Sequence, residues 1–215
     1  MSFFVSPSIL SADFTKLKEE IESVEKAGAD FLHLDVMDGC FVPNLTFGPI
    51  IVRAIRKMTG LPLDTHLMIA DPLKYIKNFA DAGADIIIFH PEARSPIEET
   101  LREIKKFGKK AGLAINPPTP VSAIRDYLGE LEWILVMSVN PGFAGQKFMP
   151  EVLPKVEELA RLKREKGYSY RLAIDGGING ETAPLAKRAG AEVLVSASYI
   201  FSSADRRKAI MTLKN

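Results

Sequence analysis

Short apolar runs rich in β-branched residues alternate with longer, charge-bearing amphipathic stretches from one end of this chain to the other. No other feature restricts the possible folds so strongly, because side-chain period decides which elements can form and which faces they bury. The apolar runs predict strands near 5–10, 31–37, 63–68, 85–90, 111–116, 133–138, 170–175 and 192–197. The intervening patterns predict helices over 13–27, 48–58, 72–82, 96–109, 120–128, 150–166, 180–189 and 204–213. Eight strand–helix units in 215 residues average about 27 residues each, which predicts a lean single-domain (β/α)8 TIM barrel over 1–215. An open doubly wound sheet shares the alternation, but eight units favour closure.

An internal echo supports the repeat. Ala27-Gly-Ala-Asp30, Ala82-Gly-Ala-Asp85 and Ala189-Gly-Ala-Glu192 each close a helix and open a strand, with starts 55 and 107 residues apart. These separations match two and four units, and each glycine fits the left-handed position after a helix end. No linker or low-complexity segment divides the chain.

Composition excludes several function classes. Lys and Arg number 28 against 27 Asp and Glu, a balance that supports neither a nucleic-acid binder nor a membrane-surface protein. Apolar runs such as Asp85-Ile-Ile-Ile-Phe89 are too short to span a bilayer. Cys40 is the single cysteine, so no intrachain disulfide or cysteine-based zinc site can form, which suits a reducing cytoplasm. The start, MSFFVSPSIL, lacks a basic segment and soon meets Ser11 and Asp13, so no signal peptide is expected.

Alternation along barrel strands sets the candidate site. It places His33, Asp35 and Met37 on one face of the second strand, and Asp64, His66 and Met68 on one face of the third. On the seventh, Asp175 shares a face with Ala173 and Arg171. His33, Asp35, His66 and Asp175 therefore point inward near the catalytic mouth and could make a four-ligand metal site. Any one of them alone would read as a hydrogen-bonded core group. Together they imply a cation, since burying two carboxylates without one is costly. His90 ends the fourth strand with no carboxylate in its motif and reads as a packing or supporting residue. Met37, Met68 and Met137 hold comparable strand positions; periodicity alone makes them core filler, and a soft lining around a reactive intermediate is the functional reading.

Two loops suggest phosphate. Asp175-Gly-Gly-Ile-Asn179 follows strand seven and Ser196-Ala-Ser198 follows strand eight, where backbone N–H groups of this fold commonly bind anions. Asn140-Pro-Gly-Phe-Ala-Gly-Gln146, after strand six, reads as a mobile lid with an aromatic tip.

Ser6-Pro-Ser-Ile-Leu-Ser-Ala-Asp13, His33-Leu-Asp-Val-Met-Asp-Gly39, Phe41-Val-Pro-Asn44, His66-Leu-Met68, the 140–146 segment and Asp175-Gly-Gly-Ile-Asn179 together resemble ribulose-phosphate 3-epimerases. The match runs in order from Ser6 to Phe201. The resemblance implies a barrel of the ribulose-phosphate-binding type that interconverts D-ribulose 5-phosphate and D-xylulose 5-phosphate in the pentose phosphate pathway. It implies one divalent ion per subunit held by His33, Asp35, His66 and Asp175, with zinc the first choice and iron(II), manganese or cobalt the alternatives. It further implies that Asp35 and Asp175 are the two acid/base groups and that Met37, Met68 and Met137 line the intermediate. Ser8, His66 and Asp175 would contact the sugar, with Gly142, Phe143, Ala144, Gly145, Gly176, Gly177, Ala197 and Ser198 around its phosphate end. A cytoplasmic homo-oligomer, dimer or hexamer, is implied as well.

Two positions depart from the resemblance. Ala197 stands where relatives usually carry glycine, and suits the place only if its φ is negative. Ala173 stands where relatives often carry Glu or Gln, removing a hydrogen bond near Asp175. Allulose-6-phosphate 3-epimerases share the chemistry and are the alternative assignment. An orotidine-phosphate decarboxylase is excluded, because its Asp-x-Lys-x-x-Asp array would need Lys and Asp where Met37 and Cys40 stand. A non-catalytic sugar-phosphate binding module is the reading from a different class.

Overall fold

A computed structural model describes residues 3–215. Eight parallel strands form one sheet: β1 (Phe4–Pro7), β2 (Leu32–Met37), β3 (Leu63–Met68), β4 (Ile86–Phe89), β5 (Lys110–Ile115), β6 (Trp133–Met137), β7 (Arg171–Asp175) and β8 (Val193–Ser196). They are hydrogen-bonded in the order β1-β8-β7-β6-β5-β4-β3-β2. Between β1 and β2 the ring is completed by a bridge from Ser8 to His33 and by paired contacts of Val5 with Asp30. The helices are α1 (Leu17–Lys26), α2 (Pro49–Arg56), α3 (Ile76–Ala82), α4 (Ile97–Lys106), α5 (Leu153–Lys166), α6 (Ala183–Ala189), α7 (Ser198–Phe201) and α8 (Arg206–Lys214). The expected (β/α)8 barrel is therefore the observed one.

Alternation along the strands divides the core into two shells. Outward residues such as Leu32, Leu34, Leu67, Ile87 and Ile174 pack under the helices. Inward residues, among them Phe31, Ile86, Ile88, Trp133, Leu135 and Val193, fill the lower barrel with apolar side chains. Asp35 and Asp175 stand above this apolar layer and face the cavity at the C-terminal mouth. Glycines of the repeated motif take φ values of 96°, 105° and 109° at Gly28, Gly83 and Gly190, each ending a helix as the repeat requires.

Two expected elements form differently, and the short helix α7 falls in no expected range. The first strand stops at Pro7 rather than running through 5–10, and Ile9–Ser11 form a single 3-10 turn. Proline brings no N–H to a ladder, and Ser8 turns the chain by accepting the Leu10 N–H at 3.3 Å. The segment 120–128 is not an α-helix but two 3-10 turns, Val121–Ala123 and Arg125–Tyr127. Ile124, at φ −121° and ψ 1°, breaks the run, yet Val121, Ile124 and Leu128 still point into the core. Length is not the cause, since α2 is an α-helix of eight residues and α3 and α6 are α-helices of seven. The proline-rich entry is held instead by Lys155, whose ammonium donates to the carbonyls of Asn116, Pro117 and Thr119 at 2.9, 2.5 and 2.6 Å.

Candidate active site

The parallel register of β2 with β3 sets Asp35 beside His66 and His33 beside Asp64. Asp175 ends β7, three strands round the ring from β2 once the seam is closed. One donor atom from each of His33, Asp35, His66 and Asp175 lies within 4.8 Å of all the others. His33 Nε2 is 3.3 Å from Asp35 Oδ1 and 3.8 Å from Asp175 Oδ2, and His66 Nδ1 is 3.2 Å from Asp35 Oδ1. Both histidines are fully buried, and neither ring nitrogen of His33 makes a well-aligned hydrogen bond. Two imidazoles and two carboxylates whose lone pairs converge without satisfying one another suit a divalent cation.

Electrostatics drives the two carboxylates apart. Burial pushes Asp35 upward, but the close approach of His33, above all its charge, and of His66 outweighs it and holds its carboxyl far below the usual range. Ser8 adds a short hydrogen bond, Oγ to Asp35 Oδ2 at 2.5 Å. Asp175 is pushed up to about 7, chiefly by burial and then by the negative charge of Asp35. Burial also opposes charge on His33, yet Asp64 and Asp35 together raise it well above the ordinary imidazole value. His66 is depressed to about 4, mainly by burial. Among the protein's own charges, then, one carboxyl is firmly ionised and the other holds a proton near neutrality.

The cavity above this cluster has a volume of about 740 Å³. Asp35 and Asp175 face it, as do Ser8, Met37, Met68 and Met137. Of the residues singled out for substrate contact, all line this cavity except His66, which lies buried behind. At its far end the Gly176–Gly177 turn is fixed by three hydroxyls. Ser138 donates to the Gly176 carbonyl at 2.7 Å, Thr182 to that of Gly177 at 2.9 Å, and Ser196 to that of Ile178 at 2.7 Å. A Cβ on Gly177, at φ 63°, would sit 2.4 Å from the Phe148 backbone nitrogen, so the turn closes against the β6–α5 loop only without a side chain. That loop is tied across the mouth by Asn44, whose amide donates to the Gly142 carbonyl at 2.7 Å, and by Gln146, which donates to the carbonyls of Asn140 and Phe143. The Phe143 tip is half exposed.

Both departures find a structural answer. Ala197 has φ −105°, so the position does not require the positive φ that favours glycine. Ala173 is fully buried among Leu135, Met137 and Val193, where the interior around Asp175 is apolar.

Several contributors escaped sequence reasoning. Asp64 Oδ1 stands 3.0 Å from His33 Nδ1, while its Oδ2 accepts from Ser6 at 3.1 Å. Asp38 gathers the backbone N–H groups of Cys40, Phe41 and Ala70, anchoring the loop after β2. The hydroxyls of Ser138 and Thr182 carry no signal in sequence, whereas Ser196 belongs to the Ser196-Ala-Ser198 stretch already singled out and acts through the Ile178 carbonyl. The carboxylate missing from the His90 motif is present two residues on, Glu92, with Oε2 3.4 Å from His90 Nδ1.

Residues 4–201 match the family model described as the ribulose-phosphate 3 epimerase family. The chain belongs to that family. Membership makes it an isomerase. It is 53% identical over 211 residues to the ribulose-phosphate 3-epimerase of Bacillus subtilis (strain 168), covering 98% of this chain and 97% of that protein. Identity to the ribulose-phosphate 3-epimerase of Synechocystis sp. is 48% over 213 residues, covering 98% and 93%. Among solved structures, KGPDC from Streptococcus mutans superposes with a TM-score of 0.75 at 15% identity, over 100% of this chain and 96% of that one. A 3-hexulose-6-phosphate synthase gives 0.68 at 16% identity, over 100% and 98%. At such low identity these two place the epimerase-family chain among similar barrels and say nothing of its substrate.

Proposed function

We propose that the chain interconverts D-ribulose 5-phosphate and D-xylulose 5-phosphate, a step of the pentose phosphate pathway, by proton transfer at C3 between two carboxylates. The observation that carries this reading is the pair Asp35 and Asp175, set on separate strands and both facing one cavity. Inverting a carbon centre means taking a proton from one face and returning one to the other, which a single base cannot easily do across a planar enediolate. One of the two carboxylates takes the C3 proton and the other, in its acid form, returns one to the opposite face. In the reverse direction the roles exchange. Ser8 holds the Asp35 carboxylate in place through its 2.5 Å hydrogen bond.

His33, Asp35, His66 and Asp175 would hold one divalent ion per subunit, zinc first, with iron(II), manganese or cobalt as alternatives. Bound there, such an ion supplies Lewis-acid stabilisation for the negative charge that develops on the substrate oxygens. Met37, Met68 and Met137 line the cavity with apolar, polarisable surface and limit water around the intermediate. Gly142, Phe143, Ala144 and Gly145 cover the phosphate end, and Gly176, Gly177, Ala197 and Ser198 form its floor.

The molecular context follows the same reading. The reading includes a cytoplasmic homo-oligomer, dimer or hexamer; self-association is supported by Leu45 and Ile50, 73% and 83% exposed on the loop and helix beside the mouth. Among the described residues no helix is long and apolar enough to cross a membrane. The reading is tested by supplying ribulose 5-phosphate and, separately, allulose 6-phosphate in deuterated water and following label at C3. Faster turnover of the six-carbon substrate would move the assignment to the allulose-6-phosphate enzymes. Absence of product from both would leave a binding module.

A further inference from the structure

β4 delivers the inward residues Ile86 and Ile88, and the next position in that alternation is His90, fully buried. His90 Nε2 lies 2.8 Å from His66 Nε2. Two ring nitrogens at that distance share one proton, since one must donate and the other accept. The other nitrogen of His66, Nδ1, faces Asp35 inside the four-residue cluster. A neutral His66 that offers Nδ1 as a lone pair carries its proton on Nε2, and His90 Nε2 must then accept. His90 is left with its own proton on Nδ1. Apart from the Glu92 carboxylate at 3.4 Å, that buried nitrogen has no partner among the described residues. Glu92 is in turn held by the Thr119 hydroxyl and, at 3.4 Å, by the Asn116 backbone N–H. Phe41 packs against the His90 ring at a centroid distance of 4.9 Å.

We propose that Glu92 and His90 are positioning residues that fix the tautomer of His66, leaving its Nδ1 free to bind a divalent ion. The proposal rests on the metal-site reading above. The chain runs in one direction, His66 Nε2–H to His90 Nε2 and His90 Nδ1–H to Glu92, and reversing either ring leaves two lone pairs or two N–H groups facing. The two histidines of the cluster are therefore held differently. His33 leans directly on the Asp64 carboxylate, whereas His66 reaches its carboxylate through a second imidazole.

The chain has three histidines in all, so nitrogen-15 spectra of the zinc-loaded protein are sparse enough to read each ring. The expected pattern is a proton on Nε2 of His66 and on Nδ1 of His90; the reverse pattern overturns the proposal. Cobalt(II) affinity, measured by chelator competition, is expected to fall about 10- to 100-fold in His90→Phe and to fall measurably in Glu92→Gln. The visible absorption of bound cobalt should shift in both. His90→Gln, whose amide oxygen can accept the His66 proton, should recover part of the loss. Phe41→Leu removes the packed ring but leaves the nitrogen chain, so it should lower the melting temperature while cobalt affinity stays unchanged. Unchanged affinity in both His90→Phe and Glu92→Gln, or equal weakening by Phe41→Leu, overturns the proposal. Wild-type protein that takes up neither zinc nor cobalt overturns the metal reading itself, a distinct result.

Discussion

Asp35 and Asp175 sit in one buried cluster yet hold protons very differently, because His33 and His66 face Asp35 more closely than they face Asp175. If both serve as acid/base groups, Asp35→Asn and Asp175→Asn should each lower turnover by roughly 100- to 10,000-fold while leaving the fold intact. Steady-state rates with circular dichroism of the same samples check this, and near-wild-type turnover in either variant would remove that residue from the pair. Much of this cluster was legible in sequence, because period-two alternation puts His33 and Asp35, or His66 and Met68, on the inward face whatever the neighbours are. Its supports were not. Asp64 reaches His33 across the β2–β3 ladder, and Glu92 reaches His66 only through His90. Such contacts depend on register between strands, which a single strand's pattern does not carry.

At the level of elements, the proposed phosphate end depends on how the Gly176–Gly177 turn meets the β6–α5 loop. Gly177→Ala is expected to cost about 1–3 kcal/mol and to displace the loop, since an alanine must take a positive φ and its Cβ would collide with Phe148. Thermal unfolding should show the loss, and KM for ribulose 5-phosphate should rise more than kcat falls. An unchanged KM would show that the loop does not touch the phosphate. The strands were legible because each is a dense apolar run bounded by turn residues. The failure at 120–128 has a clear cause. Val121, Ile124 and Leu128 have helical spacing, but the same spacing is served by consecutive 3-10 turns, and proline entry with Lys155 capping favours them. The end of β1 was misread for a similar reason, because Pro7 ends a ladder that hydrophobicity alone would continue.

For the molecule as a whole, the proposed metal would compete with protons for the same groups. Asp175, with a folded value of about 7 and so raised above the ordinary carboxylate range, stabilises the metal-free fold in its protonated form, and that contribution is lost as pH rises through about 7. His33, also raised, acts in the same sense. Asp35 acts oppositely, contributing above the ordinary carboxylate range and losing that contribution in acid. Zinc must displace the protons on Asp175 and His33, so the rise in melting temperature that zinc produces should grow as pH increases through about 7. A shift independent of pH would contradict the ligand set. The exposed Leu45 and Ile50 make a further prediction at this scale: Ile50→Glu should reduce the sedimentation mass from oligomer to monomer, and an unchanged mass would place the interface elsewhere.

Turnover of ribulose 5-phosphate in deuterated water, by protein with its metal verified as bound and then verified as removed, tests the central claim most directly. The expected result is xylulose 5-phosphate carrying solvent deuterium at C3, activity lost on stripping and regained when the divalent ion is restored. Full turnover by the stripped protein, or product without deuterium at C3, would contradict it.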